Sequence, residues 1–180
     1  VGVEDGIIIK ERRNESGARV YGLNLEAKLA WKDVFQIQAG MTAQRSRYKE
    51  ARSWSEDLVE GIVEATDQMF RTPDLYGYFT TLYNPVKNFG IALSGTYTGS
   101  MLIEHYAGYI EKTPGFWDMN CKFTYDFKLF DSIGFQLNAG VQNIFNSFQS
   151  DFDKGADRDS GYIYGPTLPR SFFFGVKLSY

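Results

Sequence analysis

Residues 117–129 read WDMNCKFTYDFKL, and every second side chain is apolar. Trp117, Met119, Cys121, Phe123, Tyr125, Phe127 and Leu129 fall on one side of an extended chain. Asp118, Asn120, Lys122, Thr124, Asp126 and Lys128 fall on the other. A β-strand separates neighbours in this way, because successive side chains point to opposite faces of the sheet. The same period recurs over residues 21–31, 35–44, 89–103, 133–141 and 171–180, with Phe173 as the exception in the last. Residues 75–83 predict a further strand whose faces are not cleanly separated. That makes about seven strands of roughly 9 to 15 residues, where soluble strands run about 5 to 6. Strands that cross a bilayer at a tilt need about 9 to 11.

The connections are sorted by length. Residues 32–33, 84–88 and 130–132 are tight, whereas roughly 45–73, 104–114 and 150–169 are long and polar, and the two kinds alternate. A soluble sandwich has no reason for this sorting. A membrane barrel has short turns at one rim and long loops at the other. Aromatics make up 17% of the chain and collect near strand ends. Trp31, Phe35, Tyr83, Phe89, Phe130 and Tyr180 lie by the short turns; Tyr48, Tyr76, Tyr78, Tyr106, Trp117 and Phe172 lie by the long loops. Amphipathic rings settle at headgroup level, so two such belts fit the two membrane interfaces. A soluble β-barrel or sandwich with aromatic edges is the competing reading.

Other classes are weakened or excluded. No apolar run reaches the ~18 residues of a membrane-spanning helix. The net charge of -3 gives no hold on a polyanion, so no nucleic-acid partner is expected. A single cysteine, Cys121, permits no disulfide within the chain, and His105 is the one histidine. Within the longest loop, SEDLVEGIVEATDQMF (residues 55–70) carries Leu58, Ile62, Ala65 and Met69 at helical spacing. A short helix is one reading there, and two strands rising out of the membrane the other. Seven strands do not close a single-chain bacterial barrel, in which the number is even. The chain is therefore expected to lack strands N-terminal to it, unless residues 3–12 supply an eighth. Its start, VGVED, has neither Met nor signal-peptide features.

The C-terminal wording carries a resemblance. NAGVQNIFNSF (residues 138–148), a polar loop, then PRSFFFGVKLSY (residues 169–180) resembles the end of a TonB-dependent outer-membrane receptor. RVYGLNLEAKLAW and RTPDLYGYFTTLYNP resemble upstream barrel strands of that family, and the loop wording is similar to receptors of the Bacteroidetes. The resemblance implies an all-β, antiparallel transmembrane barrel of roughly 22 strands with a plugged lumen, short periplasmic turns and long extracellular loops. Residues 1–180 would be the C-terminal part of it, with plug domain and N-terminal strands outside the chain. It further implies a Gram-negative outer membrane and import, without catalysis, of a scarce siderophore, haem, cobalamin or glycan. The implied partners are membrane lipid, the plug, the TonB complex, the barrel-assembly machinery and the small-molecule or glycan ligand. A small self-contained barrel acting as adhesin or structural protein is the alternative, and a soluble β-sandwich binding module the next.

Candidate sites follow from the loops. Trp54, Tyr106, Tyr109, Tyr162 and Tyr164 stand on the long loops, where aromatic rings can stack on a ligand or pack within the loop. Asp151, Asp153, Asp157 and Asp159 crowd SDFDKGADRDSG at i, i+2 spacing, a hard-oxygen set that suits calcium. Gly155 comes one place early for an EF-hand and no Glu closes the loop, so a solvated loop paired through Lys154 and Arg158 competes. Glu56, Asp57, Glu60, Glu64 and Asp67 make the longest loop acidic, as a solvated face or as a surface for a cationic ligand. His105 has no partner fixed by spacing, and Cys121 reads as an apolar side chain. No other cofactor is implied.

In the last strand Phe172, Phe174, Val176, Leu178 and Tyr180 would face lipid. The terminal aromatic resembles the signal that barrel assembly reads. Deleting Tyr180 from the full receptor should impair membrane insertion more than ligand affinity, measured by heat-modifiable gel migration of membrane fractions. Normal insertion of the truncated protein would refute this.

Overall fold

The structure, a computed structural model, describes residues 2–4, 7–9, 17–52, 65–105, 109–129, 133–166 and 168–179. It contains strands and turns, and no helix among the described residues. The strands are β1 (Gly2–Glu4), β2 (Ile7–Ile9), β3 (Ala18–Trp31), β4 (Phe35–Arg52), β5 (Thr66–Gln68), β6 (Leu75–Val86), β7 (Phe89–Thr98), β8 (Leu102–His105), β9 (Tyr109–Lys112), β10 (Phe116–Leu129), β11 (Ile133–Gln142) and β12 (Ser171–Ser179). The long ones form one antiparallel sheet in the order β12-β11-β10-β7-β6-β4-β3, with β5 paired to the far end of β4. The order follows the chain, an up-and-down meander. Among the described residues β3 and β12 each have a partner on one side only, and the sheet does not close. β1 and β2 pair with each other rather than with the sheet, so the described residues of the 3–12 stretch add no eighth strand to it.

The register makes the two faces explicit. Leu25 opposes Met41 and Ala27 opposes Ala39, while Glu26 opposes Gly40 and Lys28 opposes Gln38. Across the sheet Phe123 opposes Ile91 on one side and Ala139 on the other, all apolar. That apolar face is not covered by protein. Leu23 is 60% exposed, Phe172 76% and Phe174 71%. A soluble sheet would have to bury this face; in hydrocarbon it is already in its preferred medium. On the same face Phe127 stacks on Phe135 with centroids 5.3 Å apart, and Tyr97 leans on Trp117 at 5.1 Å. The polar face carries its own pairs, such as Gln136 Nε2 donating to Asp126 Oδ1 at 2.9 Å.

Three of the glycines that sit opposite aromatics in the register have the ring packed over them: Gly40 with Tyr78, Gly95 with Phe79, and Gly140 with Phe173. Each ring lies where a Cβ on the glycine would collide with it. Such a ring covers backbone that the glycine leaves bare. This explains Phe173, which shares the polar face with Gly140, and it sorts the faces of β6. Tyr76, Tyr78 and Leu82 pair with polar-face positions, and Leu75, Phe79 and Tyr83 with apolar ones.

Several expectations are corrected. Residues 89–103 are not one strand: β7 ends at Thr98, and residues 102–105 start a separate hairpin with β9. Gly99 makes the break, its N–H bonded to the Leu75 carbonyl at 2.8 Å, with no room there for a side chain. The 104–114 connection is thus partly β-hairpin. β4 is 18 residues long, about 59 Å at ~3.3 Å per residue, well beyond a ~30 Å hydrocarbon core. Its far half carries Arg45, Arg47 and Lys49, which suits a strand standing clear of lipid. The helix over residues 55–70 falls partly outside the described residues, and its described end, Thr66–Gln68, is strand paired with β4. Tyr48, Tyr76 and Tyr78 share the polar-face register and so leave the expected membrane belt; Tyr106, Phe130 and Tyr180 lie outside the described residues. At the other rim, Trp31, Phe35 and Tyr83 form one continuous row.

A Cβ at Gly140 would strike both the Phe173 ring and the Cys121 carbonyl. Gly140→Ala should therefore cost about 1–3 kcal/mol by overpacking, seen as a lower urea midpoint for the folded full receptor in detergent. An unchanged midpoint would refute the close packing.

Candidate functional site

The described hydrophobic residues that are buried in protein are Met101, Ile103 and Tyr162, none of them in the seven long strands. They lie in a layer of loops beyond the long-loop rim. The β8–β9 hairpin forms because its alternation continues the period of the sheet while Gly99 has turned the chain away. Its base is closed by Thr113, whose N–H donates to the Met101 carbonyl at 2.9 Å and whose Oγ1 accepts from the Met101 N–H at 3.1 Å. Ile103, with no exposed surface, packs inward.

His105 ends β8, and the loop between β11 and β12 comes down against it. Its Nδ1 lies 2.7 Å from Glu111 Oε1 on β9, and its Nε2 lies 3.0 Å from Asp153 Oδ2 in that loop. The Tyr162 ring stacks on the imidazole, centroids 3.8 Å apart and planes 12° from parallel. Burial works against a charged imidazole, yet the hydrogen bonds to Glu111 and Asp153 and their negative charge outweigh it. The pKa of His105 is held above its ordinary 6.5.

The tyrosines extend this network. The Tyr162 hydroxyl lies 2.7 Å from Glu111 Oε2 and 3.0 Å from Asp151 Oδ2, and Tyr164 donates to Asp151 Oδ1 at 2.7 Å. Burial, followed by these carboxylates, pushes both phenols above their usual range. For Asp151, burial favours the neutral acid, but the hydroxyls of Tyr164 and Tyr162 prevail and its pKa is lowered. Its contribution to stability is then present above the ordinary carboxyl value of 3.8 and is lost as pH falls through the folded value. Gln149 sets the loop itself: its Nε2 donates to the Tyr162 carbonyl, and its Oε1 accepts from the Tyr164 N–H, both at 3.0 Å.

Three further residues pin the layer to the sheet. Arg71, in the left-handed region at φ 54°, donates through Nη1 to the Ile163 carbonyl at 2.7 Å and through Nη2 to the Gly161 carbonyl. Its own N–H donates to the Leu102 carbonyl at 2.8 Å, so one residue joins three loops. Asn143 and Asn146 of the NIFN step are both left-handed, at φ 51° and 53°. Asn143 Nδ2 donates to the carbonyls of Ser147 at 2.8 Å and Leu168 at 2.9 Å, and its Oδ1 accepts from the Ser147 N–H at 2.8 Å. Asn146 Oδ1 accepts from the Arg170 N–H at 2.9 Å. Asparagine tolerates this backbone and its amide replaces backbone partners, which is why the step needs Asn at both places.

The residues singled out from sequence fare differently. Trp54 and Tyr106 lie outside the described residues. Tyr109 is exposed at the start of β9, edge-on to His105. Tyr164 is half-buried, and Tyr162, at 2% exposure, is a packing residue rather than a presented ring. No group of three His, Cys, Asp or Glu side chains that could hold a metal ion occurs among the described residues, and three of the four aspartates of the last loop have other partners. Asp151 accepts from tyrosines, Asp153 faces His105 and accepts from the Asp159 N–H, and Asp159 accepts from the Gly161 N–H. Lys154 sits over the Phe152 ring, and Arg158 donates to the Gly155 carbonyl, instead of pairing with these acids as expected. Of the acidic set in the longest loop only Asp67 is described, 3.7 Å from Arg47 Nε. Sequence reasoning set His105 aside for want of a partner fixed by spacing, and it passed over Glu111, Arg71 and Gln149. Beside Asp153 and Tyr162 a cleft of about 450 Å³ opens, lined by Phe148, Phe152, Arg158, Ile163 and Pro166.

Comparison with known proteins places this geometry. The sequence profile of the family described as TonB dependent receptor-like, beta-barrel matches residues 5–144. The chain belongs to this family. Two solved structures of the ferric-catecholate import receptor Fiu from Escherichia coli K12 share the fold. The closed form matches with a TM-score of 0.60 at 23% identity, the open form with 0.57 at 22%. Each match covers 88% of this chain and 20% of that one, so the chain spans about a fifth of the solved receptor. No curated protein matches significantly. The seven long strands are thus strands of a TonB-dependent receptor barrel, and the loop layer is what stands on its rim.

Asn143→Ala leaves the Ser147 and Leu168 carbonyls and the Ser147 N–H without this partner. It should cost about 2–3 kcal/mol, measured by denaturant unfolding of the full receptor, with faster proteolysis within residues 143–170. A variant as stable and as resistant as the parent would refute the clamp.

Proposed function

We propose that residues 1–180 form the C-terminal part of the barrel of an outer-membrane receptor that imports a scarce ligand of the siderophore, haem, cobalamin or glycan class. The receptor binds and releases its ligand unchanged, with energy delivered through TonB to a plug held by the polar face of the barrel. The observation that carries this reading is a sheet whose apolar face is uncovered, and whose two outer strands are paired on one side only, among the described residues. An apolar face of this size suits lipid, which argues against a soluble sandwich. Unpaired edges in hydrocarbon would leave backbone groups unsatisfied, which favours further strands over a small self-contained barrel.

In this reading the short turns face the periplasm and the loop layer faces the medium. The barrel-assembly machinery reads the last strand, where Phe172, Phe174, Val176 and Leu178 lie exposed on the apolar face. Tyr109 and Tyr164, with Trp54 and Tyr106, are the aromatic candidates for ligand contact; Tyr162 packs edge-on to Tyr164. Siderophores come first among the ligands to test, because the solved relatives are ferric-catecholate import receptors.

The test is a deletion of the full-length gene, with growth scored when each ligand class in turn is the sole source of iron, cobalamin or carbon. One class should cease to support growth, a tonB deletion should reproduce that loss, and the purified receptor should bind the same ligand. Unaltered growth on every class, with no binding by the purified receptor, would overturn the proposal.

A further inference from the structure

We propose that His105 is a pH-dependent latch that holds the β8–β9 hairpin to the loop between β11 and β12, closed while both ring nitrogens carry protons and loosened when one is lost. The argument is one of proton count. Each ring nitrogen lies within 3.0 Å of a carboxylate oxygen, Nδ1 of Glu111 and Nε2 of Asp153. An ionised carboxylate only accepts, so both contacts are hydrogen bonds only when the imidazole is a cation. A neutral ring has one N–H and must aim a lone pair at the other carboxylate.

The surroundings sharpen the dependence. Tyr162 stacks on the ring and bridges towards Glu111 and Asp151, and Tyr109 meets the ring edge. Asp159 approaches Asp153 through its backbone N–H, and Arg158, which lines the cleft beside Asp153, gives Nη1 to the Gly155 carbonyl. Two carboxylates, Glu111 and Asp153, therefore meet the imidazole, and a third, Asp151, joins the network through the Tyr162 hydroxyl. Losing its proton removes the positive charge that faces Glu111 and Asp153. The two carboxylates come from different segments, β9 and the last loop, so the cation is the joint between them. The sign is fixed: with the folded pKa above 6.5, the linkage is fully present below 6.5 and is lost as pH rises through the folded value.

Hydrogen exchange of the full-length receptor in detergent micelles tests this without any ligand, so its outcome is independent of the import reading. Exchange times are corrected for base catalysis, and heat-modifiable migration confirms that each variant is folded. On raising the pH from 5 to 9, protection of residues 101–113 and 149–164 should fall together, by up to about tenfold per pH unit through the transition. His105→Gln should abolish the step. Asp153→Asn should keep it but move its midpoint to lower pH, because one stabilising charge is gone while an acceptor remains. Constant protection in the parent, a step confined to one segment, an unaltered step in His105→Gln or an unmoved midpoint in Asp153→Asn would each overturn the latch.

Discussion

In a medium without water, every backbone N–H and C=O must find a partner in the protein. The ladders of β3, β4, β6, β7, β10, β11 and β12 meet that demand strand by strand, and the rest of the structure follows from it. The strands are long because they must cross the whole apolar layer. They meander in chain order because each short turn puts the next strand beside the last. Pro85, which has no N–H to give, falls where the β6–β7 register slips between Tyr83 and Val86, close to the short turn. Asn84 covers the irregularity: its N–H donates to the Val34 carbonyl at 2.7 Å and its Nδ2 to the Asp33 carbonyl at 3.0 Å.

The loop layer has the opposite problem. The sheet needs no protein against its apolar face, whereas loops in water must hold themselves together with few apolar side chains. Ile103, Met101 and Tyr162 are too few to do so by hydrophobic burial alone. Polar side chains that bond backbone supply the rest. Asn143, Gln149, Arg71 and Thr113 each satisfy groups that a strand would have satisfied by pairing. This division explains why the ionisable cluster is found where it is. Beyond the lipid, carboxylates and an imidazole can be partly buried and still be held by hydroxyls and amides.

The sheet was legible because its period is local. From β10, nearly every residue of the strand could be assigned to a face from the sequence WDMNCKFTYDFKL alone. Non-local facts were not legible. The period of β7 runs on without a break into β8, so only the meeting of Gly99 with Leu75, 24 positions away, reveals where the strand stops. Tyr76 and Tyr78 looked like membrane-belt residues until the register put them opposite Thr42 and Gly40. His105 had no signal beside it. Its partner Glu111 is six residues away across a hairpin that had been read as loop, and Asp153 is 48 residues away. The aspartates of the last loop had spacing in their favour, but spacing says nothing about what else competes for the carboxylates. Here tyrosine hydroxyls and backbone N–H groups take them.

The NIFN step shows how family wording can encode geometry rather than ligand. The N–H of its first asparagine, Asn143, donates to Asn120 Oδ1 on β10 at 3.0 Å, and its amide gathers both ends of the following loop. Asn146 then fixes Arg170, the residue immediately before β12. The start of the last strand is thus placed by side chains at the end of the one before it, across some twenty loop residues whose own path is set by Gln149 and Tyr162. Register in a sheet with one apolar face tolerates no slip, since moving β12 by one residue would turn Phe172, Phe174, Val176 and Leu178 to the polar side. The clamp at Asn143 and Asn146 therefore helps decide which face of the final strand meets lipid, by holding both ends of the loop between β11 and β12.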